Sequence, residues 1–349
     1  MARRFPAILL TILLLALSIG VLVGCGSGNG EGDTASATES AVDLAYKQMR
    51  EERGTLDSVD EKLAVTKAFL RDYPQSGHTA DAVYAVFYYQ GEELGDMPGA
   101  VSYAEGIRAG ITDPEIARSV DKELLGFYSE SGMTAKMVTL AEKLAAAGAL
   151  DFNDCSNVIE GAVKASDWAL VRDYCARARP MAAAEAIRAE NPDQEYTDEE
   201  LAKIADERLG MLMVKEGWAR ANQGQTKEAL ADFAEADKLV PHYYFDVPEY
   251  DLDVYWGNTL MMRGDFEAAV EKFATDGLIM RNEASLDGLK KAYVGMYGSE
   301  SGFDAYADAL HRRVAPTAFD FEMPGYDGRR YRFADLRDNV TLLALWFPT

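Results

Sequence analysis

The chain has 349 residues, with 58 acidic and 35 basic side chains and a formal net charge of −23. A surface this negative repels a polyanion and has no counterions to release to it, which argues against nucleic acid as a partner and against direct contact with anionic lipid headgroups. Three histidines (His78, His242, His311) and three cysteines (Cys25, Cys155, Cys175) are scattered along the chain, which argues against a histidine-rich metal site, and nothing points to a cofactor.

The N-terminus reads in three parts. Arg3 and Arg4 are positive, Pro6 to Val23 is an apolar run, and Leu22-Val23-Gly24-Cys25 ends it on small residues before a cysteine. The run is marginal for a bilayer span, and its ending suits cleavage better than a stop-transfer flank. Leu-Val-Gly-Cys resembles the lipobox of bacterial lipoproteins. That resemblance implies a signal peptide over residues 1–24, acylation of Cys25, and an exported chain held in the cell envelope by its lipid. Such an anchor draws about 0.8 kcal/mol from each buried CH₂. An uncleaved single-span anchor is the other reading. Gly26-Ser27 lacks the aspartate associated with inner-membrane retention, which leans to the outer membrane in a host with two. Residues 25–40 are small and polar, and read as a flexible tether.

From residue 41 to 313 the chain is rich in Ala, Leu, Glu, Lys and Met. Apolar residues recur at helical spacing, as at Leu230, Phe233, Ala234 and Val240. This predicts an all-helical region. It also repeats: Gly217, Gly224, Ala229 and Phe233 share their spacing with Gly257, Gly264, Ala269 and Phe273. The first glycine lets two helices approach, the second sits in the turn, and the alanine and aromatic face inward from the second helix. Weaker copies centre on Gly95 (with Ala100 and Ala104), Gly132 (with Met137 and Ala141) and Ser166 (with Val171 and Cys175). GDFEAAVEKF and GQTKEALADFAEADKLVP resemble the tetratricopeptide repeat family, although the family's aromatic in the first helix is mostly missing. The resemblance implies an array of helical hairpins that docks protein partners or acts as a spacer.

Three stretches within the array leave alternatives open. PMAAAEAIRAENPDQEYTDEE (180–200) reads as an extended helix pair or a loop. HYYFDVPEYDLDVYW (242–256) holds six aromatics among four acids, either as a peptide-binding patch or as rings filling the seam between repeats with the acids solvated. Cys155 and Cys175 flank one helical turn, and are open to a disulfide or to two buried thiols.

After Arg313 the pattern changes. Phe319 to Met323 alternates, Pro324 and Tyr326-Asp327-Gly328 make a turn, and Arg330 to Phe333 alternates again, which predicts a β-hairpin. Ala334-Asp335-Leu336-Arg337 reads as a helical turn, and Val340 to Phe347 as a strand buried on both faces. These features, with Ala315-Pro316, Asp327-Gly328 and Trp346, resemble the opening of the TlpA-like branch of the thioredoxin superfamily, near the redoxins and peroxiredoxins. Asp338-Asn339 stands where that family has Gly-Lys, and Trp346-Phe347-Pro348-Thr349 where it has Trp-Ala-Thr-Trp. The resemblance implies an incomplete thioredoxin-like α/β domain over 314–349. It places the nucleophilic cysteine of Cys-x-x-Cys just after Thr349, at a helix N-terminus that would lower its pKa. By this reading the full-length product is a thiol–disulfide oxidoreductase or a peroxidase-like relative, and the 349-residue chain itself is silent. A selenocysteine codon read as a stop, an assembly error and a genuine stop are the three explanations for the chain ending there. The alternative function is a non-catalytic docking scaffold of the envelope.

Overall fold

The computed structural model describes residues 40–315, 322–324 and 329–332. The chain divides into two compact units, Met1–Leu44 and Ala45–Thr349. Of the first, only residues 40–44, at the opening of α1, are described. Cys25, the 25–40 tether up to residue 39, and Trp346, Phe347, Pro348 and Thr349 lie outside the described residues.

The described part is helical apart from one small sheet. In chain order the helices are α1 (Ala41–Thr55), α2 (Val59–Asp72), α3 (Thr79–Val86) running into a π-helix (Phe87–Glu93), α4 (Met97–Gly110), α5 (Pro114–Glu130), α6 (Thr134–Ala146), α7 (Phe152–Lys164) and α8 (Trp168–Ala178). They continue with a 3₁₀ turn (Arg179–Ala182), α9 (Ala184–Glu190), α10 (Asp198–Asn222), α11 (Thr226–Ala236), a second 3₁₀ turn (Tyr244–Asp246), α12 (Leu252–Met262), α13 (Phe266–Leu278), α14 (Glu283–Tyr297) and α15 (Phe303–Val314). None of the described helices is long and apolar enough to cross a membrane. Strands β1 (Glu322–Pro324) and β2 (Arg330–Arg332) pair antiparallel, with Met323 opposite Tyr331. The hairpin thus falls where the alternation predicts it, while the remainder of the thioredoxin-like reading lies outside the described residues.

The predicted repeat positions share one geometry. Gly95, Gly132, Ser166, Gly224 and Gly264 all hold positive φ, between 56° at Ser166 and 82° at Gly224. At four of these turns the next amide reaches back across the end of the first helix: Met133 N donates to Tyr128 O at 2.8 Å, Asp167 N to Ala162 O at 2.9 Å, Gln225 N to Arg220 O at 2.9 Å and Asp265 N to Leu260 O at 3.0 Å. This closure satisfies carbonyls that the helix end leaves open, and it needs a left-handed residue that glycine supplies without strain. Asp96 and Asp167 then cap the second helix, each accepting a backbone N–H at 3.1 Å from Gly99 and Leu170 respectively.

Between the helices of a hairpin, a small residue sits under an aromatic ring. A Cβ on Gly217 would lie 2.8 Å from the Phe233 ring, and one on Gly257 2.5 Å from the Phe273 ring. Gly288 of the following hairpin lies against the other side of Phe273, at 2.6 Å by the same measure, so that ring is clamped between two helices. Ala229, Phe233, Ala269 and Phe273 are all fully buried. First helices of neighbouring hairpins also pack together: α3 on α5, α5 on α7, α10 on α12 and α12 on α14.

Two regions depart from simple repetition. The 180–200 stretch becomes the short α9, anchored by buried Ile187, and a linker that ends in a capping box between Thr197 and Glu200 at the start of the 25-residue α10. The α14–α15 hairpin has no copy of the repeat spacing. Its turn uses Gly298 and Gly302, both at positive φ, and Gly295 lies under the ring of Phe266.

Two substitutions test this geometry. Gly257→Ala places a methyl into a clamped ring and is expected to lower stability by about 2 kcal/mol, overpacking outweighing the gain in helix propensity. Ser166→Gly removes the cost of a left-handed L-residue and is expected to raise stability by about 1 kcal/mol. Urea unfolding followed by circular dichroism reads both, and a stabilising Gly257→Ala would mean the seam is looser than the structure has it.

Candidate protein-docking surface

The seams hold charges as well as rings. On α10, Lys215 falls within the run Met211, Leu212, Val214 and Gly217, and its side chain is only 3% exposed. Its ammonium lies 2.8 Å from Glu160 on α7 and 5.3 Å from the centre of the Tyr255 ring on α12. Burial alone would push Lys215 toward neutrality, but the charges of Glu160 and then Asp251 outweigh it and hold the ammonium charged. Above it Tyr255 stacks on Trp218 at 4.8 Å, and Trp218 meets Trp168 edge-on at 6.1 Å. This ladder of half-buried rings joins three successive hairpins. A second cation, Lys272, lies 3.6 Å from the centre of the Trp256 ring.

Toward α3 and α5 the surface is acidic. Tyr84 is 47% exposed, and its hydroxyl is pushed up by burial of its inner edge and then by the charges of Glu92, Glu130 and Glu123. Burial pushes the Glu123 carboxyl up to about 7, helped by the charges of Asp81 and Asp154. Glu92 is raised as well, by burial and by Glu130 and Glu93. Asp121 on α5 is compensated differently, accepting from Arg108 at 2.6 and 3.0 Å and from Lys143 at 2.7 Å.

The aromatic segment 242–256 divides its roles. Tyr250, Tyr255 and Trp256 pack into the seams, with Tyr250 Oη donating to Glu207 at 2.7 Å. Tyr243, Tyr244 and Phe245 stay exposed, at 53%, 77% and 50%. The acids divide too. Asp246 and Asp251 are solvated, whereas Asp253 lies beside Lys272 at 3.5 Å and is raised to about 6, chiefly by burial. Glu249 is buried, its Oε1 has no hydrogen-bond partner, and burial followed by the Glu207 charge raises it to about 7. The seam-filling reading therefore holds for Tyr250, Tyr255 and Trp256, though not for the acids Glu249 and Asp253, while Tyr243, Tyr244 and Phe245 stay outside the seams.

Cys155 on α7 and Cys175 on α8 are both free and fully buried. Burial, then the charges of Asp154 and Asp151, pushes Cys155 up to about 12. Burial, then Glu216, does the same to Cys175, whose Sγ lies 3.8 Å from Leu212 O. Thiols held protonated in this way are inert as nucleophiles. Among the described residues nothing supplies the thiol exchange that the thioredoxin resemblance implies. Lys215 and Glu123 belong to none of the sequence motifs described above. A lone lysine inside an apolar helical run was a signal for the first, whereas the burial of Glu123 has no mark in the sequence.

No family model and no curated protein matches the chain. Among solved structures it is similar to the crystal structure of a tetratricopeptide repeat protein from Parabacteroides merdae. The two are 13% identical, the match covers 72% of this chain and 99% of that one, and the TM-score is 0.38. That likeness is too loose to assign fold or function, which rest on the hairpin geometry described above.

The raised carboxyl of Glu123 has a consequence for stability. Its folded pKa of about 7 lies above the ordinary 4.5, so the folded chain keeps a proton that the unfolded chain releases. The stabilisation this brings is complete below the unfolded carboxylate range and lost as pH rises through 7. Glu123→Gln is expected to raise stability near pH 8 by about 1 kcal/mol and to leave it unchanged near pH 4. Thermal melts at the two pH values check this, and equal effects at both would overturn it.

Proposed function

We propose that this chain is a non-catalytic docking scaffold, a helical array of tetratricopeptide type that binds a protein partner. The observation that carries this reading is two sets of partly exposed side chains on tightly seamed hairpins: Tyr84, Glu92 and Glu123 by α3 and α5, and the ring ladder of Trp168, Trp218 and Tyr255 on α8, α10 and α12. Rigid aromatics bury large area at small entropic cost, which makes them the usual anchors of protein interfaces. Glu92 and Glu123 are already partly desolvated, so a partner's donors would meet acceptors that water serves poorly.

Selection from a displayed random-peptide library against the full chain tests this. One class of peptides should be enriched, and its binding should weaken about tenfold in Tyr84→Ala/Glu123→Gln or in Trp218→Ala. An unenriched library, or binding indifferent to all these residues, removes the reading.

The same proposal places the scaffold in the cell envelope, held by a lipid on Cys25. Its support is the ordered sequence of charged start, apolar run and Leu-Val-Gly-Cys. In cells fed an alkyne palmitate, the chain is expected to take up label and fractionate with membranes. Cys25→Ser should lose the label; a chain that stays labelled, or a wild type never labelled, refutes the anchor.

A further inference from the structure

The loop between α11 and α12 spends stability to display aromatic rings. Phe245, Asp246, Tyr250 and Asp251 all hold left-handed backbone, with φ between 58° and 63°. Bulky residues rarely adopt that conformation, and it persists only where the surroundings impose it. Here they do. His242 Nδ1 lies 3.0 Å from Asp246 Oδ1 and its Nε2 3.0 Å from the Asp237 carbonyl. Tyr243 N donates to Val247 O at 2.9 Å, and Glu249 N to Pro241 O at 3.1 Å. The loop is thus braced at its base, while Tyr243, Tyr244 and Phe245 at its tip remain at least half exposed. Among the described residues, these three adjacent exposed rings on a braced loop have no packing role.

The charges around the tip indicate what covers it. The Asp246 side chain is 90% exposed, and the Asp237 side chain, joined to the loop through His242, is 35% exposed. The neighbouring cation Lys238 is engaged with Glu235 at 2.7 Å. Ring faces attract cations, and surrounding carboxylates accept their hydrogen bonds. A second copy of this chain, or an anionic lipid surface, would instead meet the repulsion of a net charge of −23.

We propose that the Tyr243-Tyr244-Phe245 loop is a docking site for a basic, extended segment of a partner protein, its Arg or Lys side chains lying on the rings beside Asp246 and Asp237. This rests on the docking reading, but on residues other than Tyr84, Trp168, Trp218 and Tyr255.

Fluorescence anisotropy on the full chain tests it, using a short labelled peptide of alternating Arg and Ser, with Glu-Ser and Gln-Ser peptides as controls. Only the Arg-Ser peptide is expected to bind, more weakly at high salt. Tyr244→Ala should weaken it about tenfold and Tyr244→Trp should preserve it, with the melting temperature of both unchanged because the ring is 77% exposed. Equal binding by wild type and Tyr244→Ala would show attraction by charge alone and overturn the site, as would no binding by wild type. Self-association or liposome binding that depends on Tyr244, seen by sedimentation, would overturn it in favour of another occupant. A library-selected peptide that binds through Tyr84 or Trp218 and ignores Tyr244 leaves the scaffold reading standing while the loop proposal falls.

Discussion

The helical array depends on how closely two helices can approach beneath an aromatic ring. Phe273 shows the constraint most clearly, with Gly257 on one side, Gly288 on the other, and no room for a Cβ at either. A ring held this way fixes the height and spacing of three helices at once, because close-packed interiors transmit any displacement to their neighbours. The left-handed turns do the complementary work. They reverse the chain within a few residues and return the second helix to the glycine of the first. Seam and turn together define a hairpin, and first helices pack together from α3 to α7 and from α10 to α14.

Tight seams also decide where charge is held. Asp121 is buried but accepts from Arg108 and Lys143, on the helices that flank α5. Lys215 is buried with Glu160 and under Tyr255, so its ammonium joins three elements. Removing charge from water is costly, and such groups persist where their partners are fixed by the surrounding packing. Glu92 and Glu123 beside Tyr84 have no such cation among the described residues. That contrast separates charges that serve the fold from those available to a partner.

The proposed docking draws on the difference between the seamed helices and the loop after α11. The helices present rings whose inner edges are held by packing, so a partner meets a preorganised surface. The loop presents rings held by a strained backbone and by His242, with aspartates at its edge. Both surfaces are aromatic and acidic, while Cys155 and Cys175 are kept protonated in the core.

Much of the array was legible in the sequence. The spacing of Gly217, Gly224, Ala229 and Phe233, and its copy from Gly257, identified the seam and the turn, because a left-handed residue and a close approach each demand a particular residue type at a particular place. Even Ser166, the non-glycine member, keeps the position. The β1–β2 hairpin was legible for a similar reason, its alternation being a local property. Tertiary structure alone decided the rest. The α14–α15 hairpin was hidden because Gly288 and Gly295 serve rings of the neighbouring helix and not a repeat of their own. Which of the six aromatics from Tyr243 to Trp256 enter the seam depends on Glu207, Trp218 and Lys215, which come from another hairpin. Periodicity reports which face of a helix turns inward. Whether a loop ring or a lysine is then buried depends on partners distant in sequence, and only the folded chain brings those together.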